Sequence, residues 1–417
     1  MKKAIIAAAA IVGAAYALDA QELTIGGYGE VALSRNFYSD NVYRYSSPTE
    51  YANDPSHGRF DIPHAVIYIG YDFGHGWSMQ TEIEFEHTGT GVAVEKEFTE
   101  AGEWETEIEK GGEVELEQFW LQKSFNPALN LRIGHIVVPV GGLNNAHEPL
   151  NFFTVYRPEG EYTILPSTWH DTGVSLWGRA GNWRYEAQLI AGLDGFMFDR
   201  DNFVHYGAKS PYEFKVANNM GYVARVDNYS LRGLRVGLSG YYGRSMHNAY
   251  PNDMHNTRYA DIKGRTYIAA ADFTYTGKRF IARGNADFGY VEDAVTLSTV
   301  KRNLSSNNSP YKKLPVASNA VAAGVEMGYD IMPWIASDAD SRLFVFGRYE
   351  YYDSYIPSPD QQDYPFTDRH RIAAGLNWFP IPEIALKAEY SHRFLKAPYK
   401  DEPSINVGIA YMAFFKK

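Results

Sequence analysis

The chain has 417 residues, no cysteine and a formal net charge of −11. Without thiols it can form no disulfide, thiolate metal site or cysteine nucleophile, and the acidic balance excludes the basic footprint of a nucleic-acid binder. Tyrosine (32) and glycine (37) are abundant and aromatics reach 15%, yet mean hydropathy is −0.36. That balance fits a sheet with one apolar and one wet face.

The first segment is Lys2 and Lys3, an apolar run from Ala4 to Leu18, and then small residues. It reads as a secretory signal peptide cleaved after Ala20, with Ala15-Tyr16-Ala17 as the alternative site. The run is shorter than the ~20 residues that a spanning helix needs, and no later stretch is long and apolar enough to supply one. Removing residues 1–20 leaves a mature domain, 21–417, one unit more acidic than the whole chain.

From there the sequence alternates with period two, the signature of strands between two environments. In 77–86, Trp77, Met79, Thr81, Ile83 and Phe85 share one face, and Gln80, Glu82, Glu84 and Glu86 the other. Further on, Phe280, Ala282, Gly284, Ala286 and Phe288 oppose Ile281, Arg283, Asn285 and Asp287. Val321 to Tyr329 places Glu326 opposite Val325 and Met327. Leu343 to Tyr351 places Phe344, Phe346, Arg348 and Glu350 opposite Val345 and Tyr349. In 384–391, Lys387 and Glu389 oppose Leu386 and Ala388, and the last segment lines up Ile405, Val407, Ile409, Tyr411, Ala413 and Phe415. No segment reads with a helical period.

The connections alternate in length. Short ones carry turn chemistry: Gly74-His75-Gly76, Asn126-Pro127-Ala128, Ala180-Gly181-Asn182, Asn228 to Gly233, Thr276-Gly277-Lys278 and Pro380-Ile381-Pro382, with a longer one near Pro333 to Ser341. Long ones fall near 35–57, 89–112, 138–172, 194–217, 244–264, 291–317, 354–367 and 395–403. Such a pattern predicts an all-β fold: a transmembrane antiparallel β-barrel of sixteen strands, closed so that no sheet edge is left unpaired. A barrel of that size encloses an aqueous channel.

The third long connection differs from the rest. It contains Phe152, Phe153, Tyr156, Tyr162, Ile164, Leu165 and Trp169, with prolines at 139, 149, 158 and 166. That is too apolar for a solvated loop, so it is expected to fold into the lumen and narrow it. The candidate constriction residues are His147, Glu148, Tyr156, Arg157, Glu159, Glu161, Trp169, His170 and Asp171. Candidate lumen charges are Glu82, Glu84, Glu86 and Glu350, with Arg132, Arg184, Arg225, Arg283, Arg348, Arg371 and Lys387; Glu113, Glu115 and Glu117 are further acidic candidates. If acids and bases segregate on opposite walls, a transverse field results. If they alternate along neighbouring strands, they neutralise one another.

The run RIGHIVVPVGGLNNAHEPLNFF, followed by ILPSTWHDTGVSLWG, resembles the phosphate-selective porin O/P family in its Gly-x-x-x-x-Pro-x-Gly strand exit and its Leu-Pro-x-x-Trp stretch. Weaker matches are Arg348-Tyr349-Glu350-Tyr351, Gly375-Leu376-Asn377-Trp378 and Lys387-x-Glu389-Tyr390. The resemblance implies a sixteen-stranded, trimeric diffusion pore in the outer membrane of a Gram-negative bacterium, in contact with lipid and lipopolysaccharide. Phosphate selection requires a cationic path. The third loop offers only Arg157 as a fixed cation against Glu148, Glu159, Glu161 and Asp171, so a non-selective or mildly cation-preferring pore for small polar or charged solutes is expected.

No enzyme, cofactor or metal is assigned. His147-Glu148 lacks the second histidine of a HExxH motif, and no pattern picks out a serine–histidine pair. His147, Glu148, His170 and Asp171 read as loop residues satisfying backbone groups before they read as ligands. The acidic run 95–117 reads as a solvated loop, with calcium bridging as its sharper alternative. The alternative function is a receptor or adhesin using Tyr38, Tyr43, Tyr45, Tyr51, Phe196, Phe198, Tyr206 and Tyr212 in the outer loops.

Overall fold

The computed structural model describes residues 21–87, 92–97, 105–110, 113–209, 215–248, 262–303, 313–337 and 339–416. The expected leader, 1–20, lies outside them, as does Tyr212.

The alternating segments form β1 (Glu22–Asn36), β2 (Gly58–Asp61), β3 (His64–Gly74), β4 (Trp77–Glu86), β5 (Val92–Glu97), β6 (Glu105–Lys110), β7 (Glu113–Asn126), β8 (Leu129–Val137), β9 (His170–Ala180) and β10 (Trp183–Ile190). They continue as β11 (Gly221–Asn228), β12 (Leu234–Arg244), β13 (Arg265–Thr276), β14 (Phe280–Val291), β15 (Asn319–Asp330), β16 (Arg342–Ile356), β17 (Asp368–Ile381), β18 (Ile384–Leu395) and β19 (Glu402–Lys416). All but β5 and β6 belong to one 17-stranded antiparallel sheet. β2 pairs with Ala32–Arg35 and β3 with Glu22–Gly29 of the same β1, so these two are halves of one crossing. The break falls at Ile62-Pro63, where proline has no N–H to give the ladder. That leaves sixteen crossings. β1 then pairs with β19 from Thr24↔Lys416 to Asn36↔Ser404, closing the barrel.

Closure lets the wall tolerate hydrocarbon outside, because each of the crossings finds a partner on both sides. The outward set is apolar and exposed: Ile67, Leu121, Ile133, Leu176, Leu238, Leu376, Val407 and Ile409 among others. At the long-loop rim, Tyr222, Tyr242, Tyr267 and Tyr290 are register partners on successive strands, with ring centroids 6.2, 5.0 and 6.0 Å apart. This run is one arc of an aromatic girdle. At the opposite rim the first short turn needs three consecutive left-handed residues, Gly74, His75 and Gly76, at φ 77°, 52° and 75°. A Cβ on Gly76 would also stand 2.4 Å from the Ser124 carbonyl oxygen, so glycine is required there twice over.

Three expectations need correction. Helical turns do occur, as α1 (Glu159–Ile164), α2 (Ala294–Arg302) and α3 (Met332–Ile335). Each is itself too short for a periodic pattern to stand out. Pro380-Ile381-Pro382 is not the turn itself: β17 runs to Ile381 through an irregularity after Trp378, and the chain reverses at Pro382 and Glu383. The third loop ends at Trp169, because His170 and Asp171 already pair with Val137 and Ile136 of β8. The 89–112 connection carries the β5–β6 hairpin. The side chains of 88–113, and with them the calcium reading, lie outside the described residues.

Candidate functional site

The third loop leaves β8 and re-enters β9 through a closed neck. Val138 N–H donates to the Trp169 carbonyl at 2.9 Å. The Asn144 amide donates to the carbonyls of Val138 (2.6 Å) and Trp169 (3.0 Å) and accepts from Trp169 N–H (2.6 Å). Above the neck, Ile164, Leu165 and Trp169 are fully buried with Val138, Val140, Phe196, Phe198, Phe203, Leu297 and Val300. Burying each large side chain is worth about 1.5–3 kcal/mol, and the loops share this core with inward residues of the wall, among them Trp120, Ile136, Val223, Ile268 and Tyr352. Phe196 and Phe198 are spent in that core, and Tyr45 stacks on Phe366 at 4.7 Å. Phe196 and Phe198 are therefore not presented for an outside partner.

The middle of the loop has little regular structure, so its buried backbone groups must find side chains. They find the inward faces of β15 to β18. Phe153 N–H donates to both Glu326 oxygens (3.1 and 3.2 Å), Val155 N–H to Glu389 (2.9 Å) and Gly160 N–H to Glu350 (3.0 Å). In the opposite sense, the Lys387 ammonium donates to the carbonyls of Pro149 (2.5 Å), Phe152 (2.9 Å) and Thr154 (2.9 Å), and the Asn377 amide to that of Phe153 (2.9 Å). The Phe153 ring packs on Phe344 and Phe346, at 5.1 and 5.6 Å. It occupies the space a Cβ on Gly328 would take, 2.3 Å from its ring.

The loop touches the other walls as well. Gly141 N–H donates to Ser239 of β12 at 3.0 Å, and Arg225 of β11 donates to the Gly141 carbonyl at 2.9 Å. Tyr156 meets Ser34 of β1 at 2.9 Å, and the His147 ring lies edge-on to Tyr28, also of β1, at 6.0 Å. The loop therefore spans the lumen.

The charged loop residues sit in distinct settings. Glu159 pairs with Arg393 (2.7 Å) and Arg371 (3.2 Å) and accepts from the Tyr352 hydroxyl. Burial pushes its carboxyl up, but the two guanidiniums outweigh that and hold it below the usual range. Among the described residues, the Glu161 carboxylate accepts from Leu143 N–H, at 2.8 Å; burial, with Asp272 nearby, pushes its carboxyl up to about 7. Its oxygen lies 2.1 Å from the place of a Cβ on Gly141, whose φ of +80° suits glycine alone. Arg157 is half-buried, and desolvation alone would lower it, but Tyr28 and Glu84 hold its pKa above the ordinary value. Glu148 accepts from Asn151 at 2.7 Å, a contact local to the loop. His147 and His170 come together, ring centroids 6.2 Å apart. Asp171 turns away from them, accepting from Gly192 N–H at 3.0 Å with Lys215 at 3.9 Å.

The wall charges face inward and alternate along β10 to β18. Arg184 pairs with Glu186 and Asp227; Arg225 with Asp227 (2.7 Å) and Asp272 (2.9 Å); Arg283 with Glu326 (2.8 Å). Arg348 pairs with Glu350 (3.0 Å), and Arg371 with Glu350 (2.8 Å) and Glu389 (3.3 Å). Arg132 instead donates to Gln122 and lies 4.4 Å over the Trp120 ring. On β4 and β7, Glu82, Glu84 and Glu117 are buried together. Glu84 meets His64 at 2.5 Å, while Glu86 is less buried. Sequence reasoning missed Asp227, Asp272, Arg235 and Arg393 as members of this wall. The Val223, Arg225, Asp227 alternation and that of Arg371 with its neighbours would have flagged the first of them.

No family model matches the chain. An uncharacterized protein of Aquifex aeolicus (strain VF5) is 26% identical over 388 residues, covering 91% of this chain and 77% of that protein. Among solved structures, the anion-selective porin from Comamonas acidovorans aligns with a TM-score of 0.55 at 9% identity, over 94% of this chain and 100% of that one. The outer membrane channel DcaP of Acinetobacter baumannii aligns with a TM-score of 0.51 at 12% identity, over 94% and 97%. At such identities the likeness concerns the fold: this chain has the barrel fold seen in outer-membrane porins.

Proposed function

We propose that the chain is an outer-membrane porin through which small polar or charged solutes diffuse passively, with loop 138–169 as its constriction. The observation carrying this reading is the loop's path across the lumen, bonded to inward side chains of β1, β11, β12 and β15 to β18. In this reading residues 1–20 are the cleaved leader, the barrel lies among outer-membrane lipid and lipopolysaccharide, and three copies assemble, as the O/P resemblance implies.

Selectivity follows the charges that line a passage. Arg184, Arg225, Arg283, Arg348 and Arg371 are each offset by carboxylates, so they add little net positive field. Glu82, Glu84 and Glu117 face few fixed cations besides Arg157. That supports a weak cation preference over phosphate selection, and the O/P resemblance is then carried over for architecture and not for solute.

A second reading, a closed barrel acting as a receptor through its outer loops, draws on the burial of Glu326, Glu350, Arg371 and Lys387 beneath the loop. Purified protein in a planar bilayer under a salt gradient separates the two. The porin reading expects stable open steps and a reversal potential at zero or displaced toward cations. Absence of steps favours the receptor, and strong anion preference saturating with phosphate would restore the O/P family's named selectivity.

A further inference from the structure

One group of side chains where the loop meets the inner wall can do more than bias the charge of the passage. Between β4 and β7 the register slips at Glu82/Ile83, and on β7 the consecutive residues Glu117 and Gln118 are both buried while Leu116 and Phe119 are exposed. A bulge of this kind re-aims a side chain, and here it turns Glu117 inward beside Glu82. His147 comes down on the pair from the loop. One ligand-capable atom from each of Glu82, Glu117 and His147 can be chosen so that all lie within 4.8 Å of one another, and the residues are 0%, 3% and 4% exposed.

Their polar atoms are incompletely satisfied. Among the described residues, Glu82 Oε1, both Glu117 oxygens and His147 Nε2 have no hydrogen-bond partner, although buried polar groups as a rule do. His147 Nδ1 stands 3.1 Å from the Asn144 carbonyl oxygen, which can only accept, so Nδ1 carries the proton and Nε2 a lone pair. The lone pair of Nε2 then lies within reach of the oxygens of the two carboxyl groups, a donor set that one cation can satisfy together. An imidazole ligand whose other nitrogen donates to a backbone carbonyl is the usual support of a metal-bound histidine. The Gln118 amide, donating to Glu82 Oε2, supports the carboxylate in the same way. His170 borders the group, with Nδ1 3.8 Å from Glu117 Oε1.

We propose that Glu82, Glu117 and His147 bind one divalent transition-metal ion of the zinc class, which ties the lumen loop to the wall. Mixed imidazole and carboxylate donors in a small buried set suit Zn²⁺, whereas Ca²⁺ demands six to eight oxygens.

The test uses the whole refolded mature chain, stripped with a chelator and titrated with ZnCl₂ by calorimetry. The proposal expects one equivalent bound, with affinity reduced at least about tenfold in His147→Gln and in Glu117→Gln, each first shown to refold. His392→Ala, which removes a half-buried histidine of β18 paired with Asp401 at 3.1 Å, should leave the titration unchanged. Co²⁺ in place of Zn²⁺ should give visible absorption bands that His147→Gln abolishes. Absence of stoichiometric binding by the unmodified chain would overturn the proposal. So would binding that persists undiminished in His147→Gln, or that is lost with His392→Ala.

Discussion

Glu161 is the residue whose protonation bears most directly on how the loop is held. Burial, helped by Asp272, disfavours its charge and pushes its carboxyl up to about 7. The folded state therefore binds this proton more tightly than the unfolded chain does. Its stabilising contribution is full below the usual carboxylate range and is lost as pH rises through about 7. Between pH 5 and pH 8 the unmodified barrel should lose thermal stability relative to Glu161→Gln, read as the temperature at which the folded band disappears on unboiled gels. A difference independent of pH would refute the assignment. At this scale the sequence told which face each residue takes, as for Arg225, Arg348 and Lys387, because period two sets the face directly. It could not tell partners. Arg225 meets Asp272 only because β12 brings β11 and β13 into one particular register, and Glu117 turns inward only because of a bulge.

The elements were legible where they cross the wall and less so in the loops. α2 buries Ala294, Leu297, Ser298 and Lys301, spaced as one helical face, but nine residues inside a long connection give that spacing little weight. Two element-scale outcomes follow from the architecture. A Cβ on Gly160 would lie 3.6 Å from the Ala322 Cβ on β15, within the range a disulfide spans. In this cysteine-free chain, Gly160→Cys with Ala322→Cys should lose both thiols on mild oxidation; two thiols that stay titratable would place the loop away from that wall. On the outer face, Ile409 lies midway along β19 and is 48% exposed. Ile409→Arg should cost about 2–4 kcal/mol in denaturant unfolding from lipid, against about 0–1 for Leu231→Arg in a short turn. Equal costs would contradict the placement of the hydrocarbon band. Phe346 does not serve as the inward counterpart, because it packs on Phe153 and its replacement would disturb the loop itself.

For the whole molecule, closure of β1 on β19 turns sixteen weak alternating signals into one wall, and this was readable from strand number and from the alternation of short and long connections. The path of loop 138–169 was readable only as an excess of apolar residues with nowhere to go. Its docking on Glu326, Glu350, Glu389 and Lys387 depends on strands 173 to 235 residues further on. These wall charges are covered by the loop's backbone, so its removal should open the lumen and hydrate them. The direct measurement is the single-channel conductance of a chain shortened between Asn144 and Tyr162, compared with the unmodified protein in the same bilayer and salt. If the loop is the narrowest section, the shortened chain should give larger steps, since that section dominates the resistance. Steps of unchanged size would contradict the claim that this loop sets the passage.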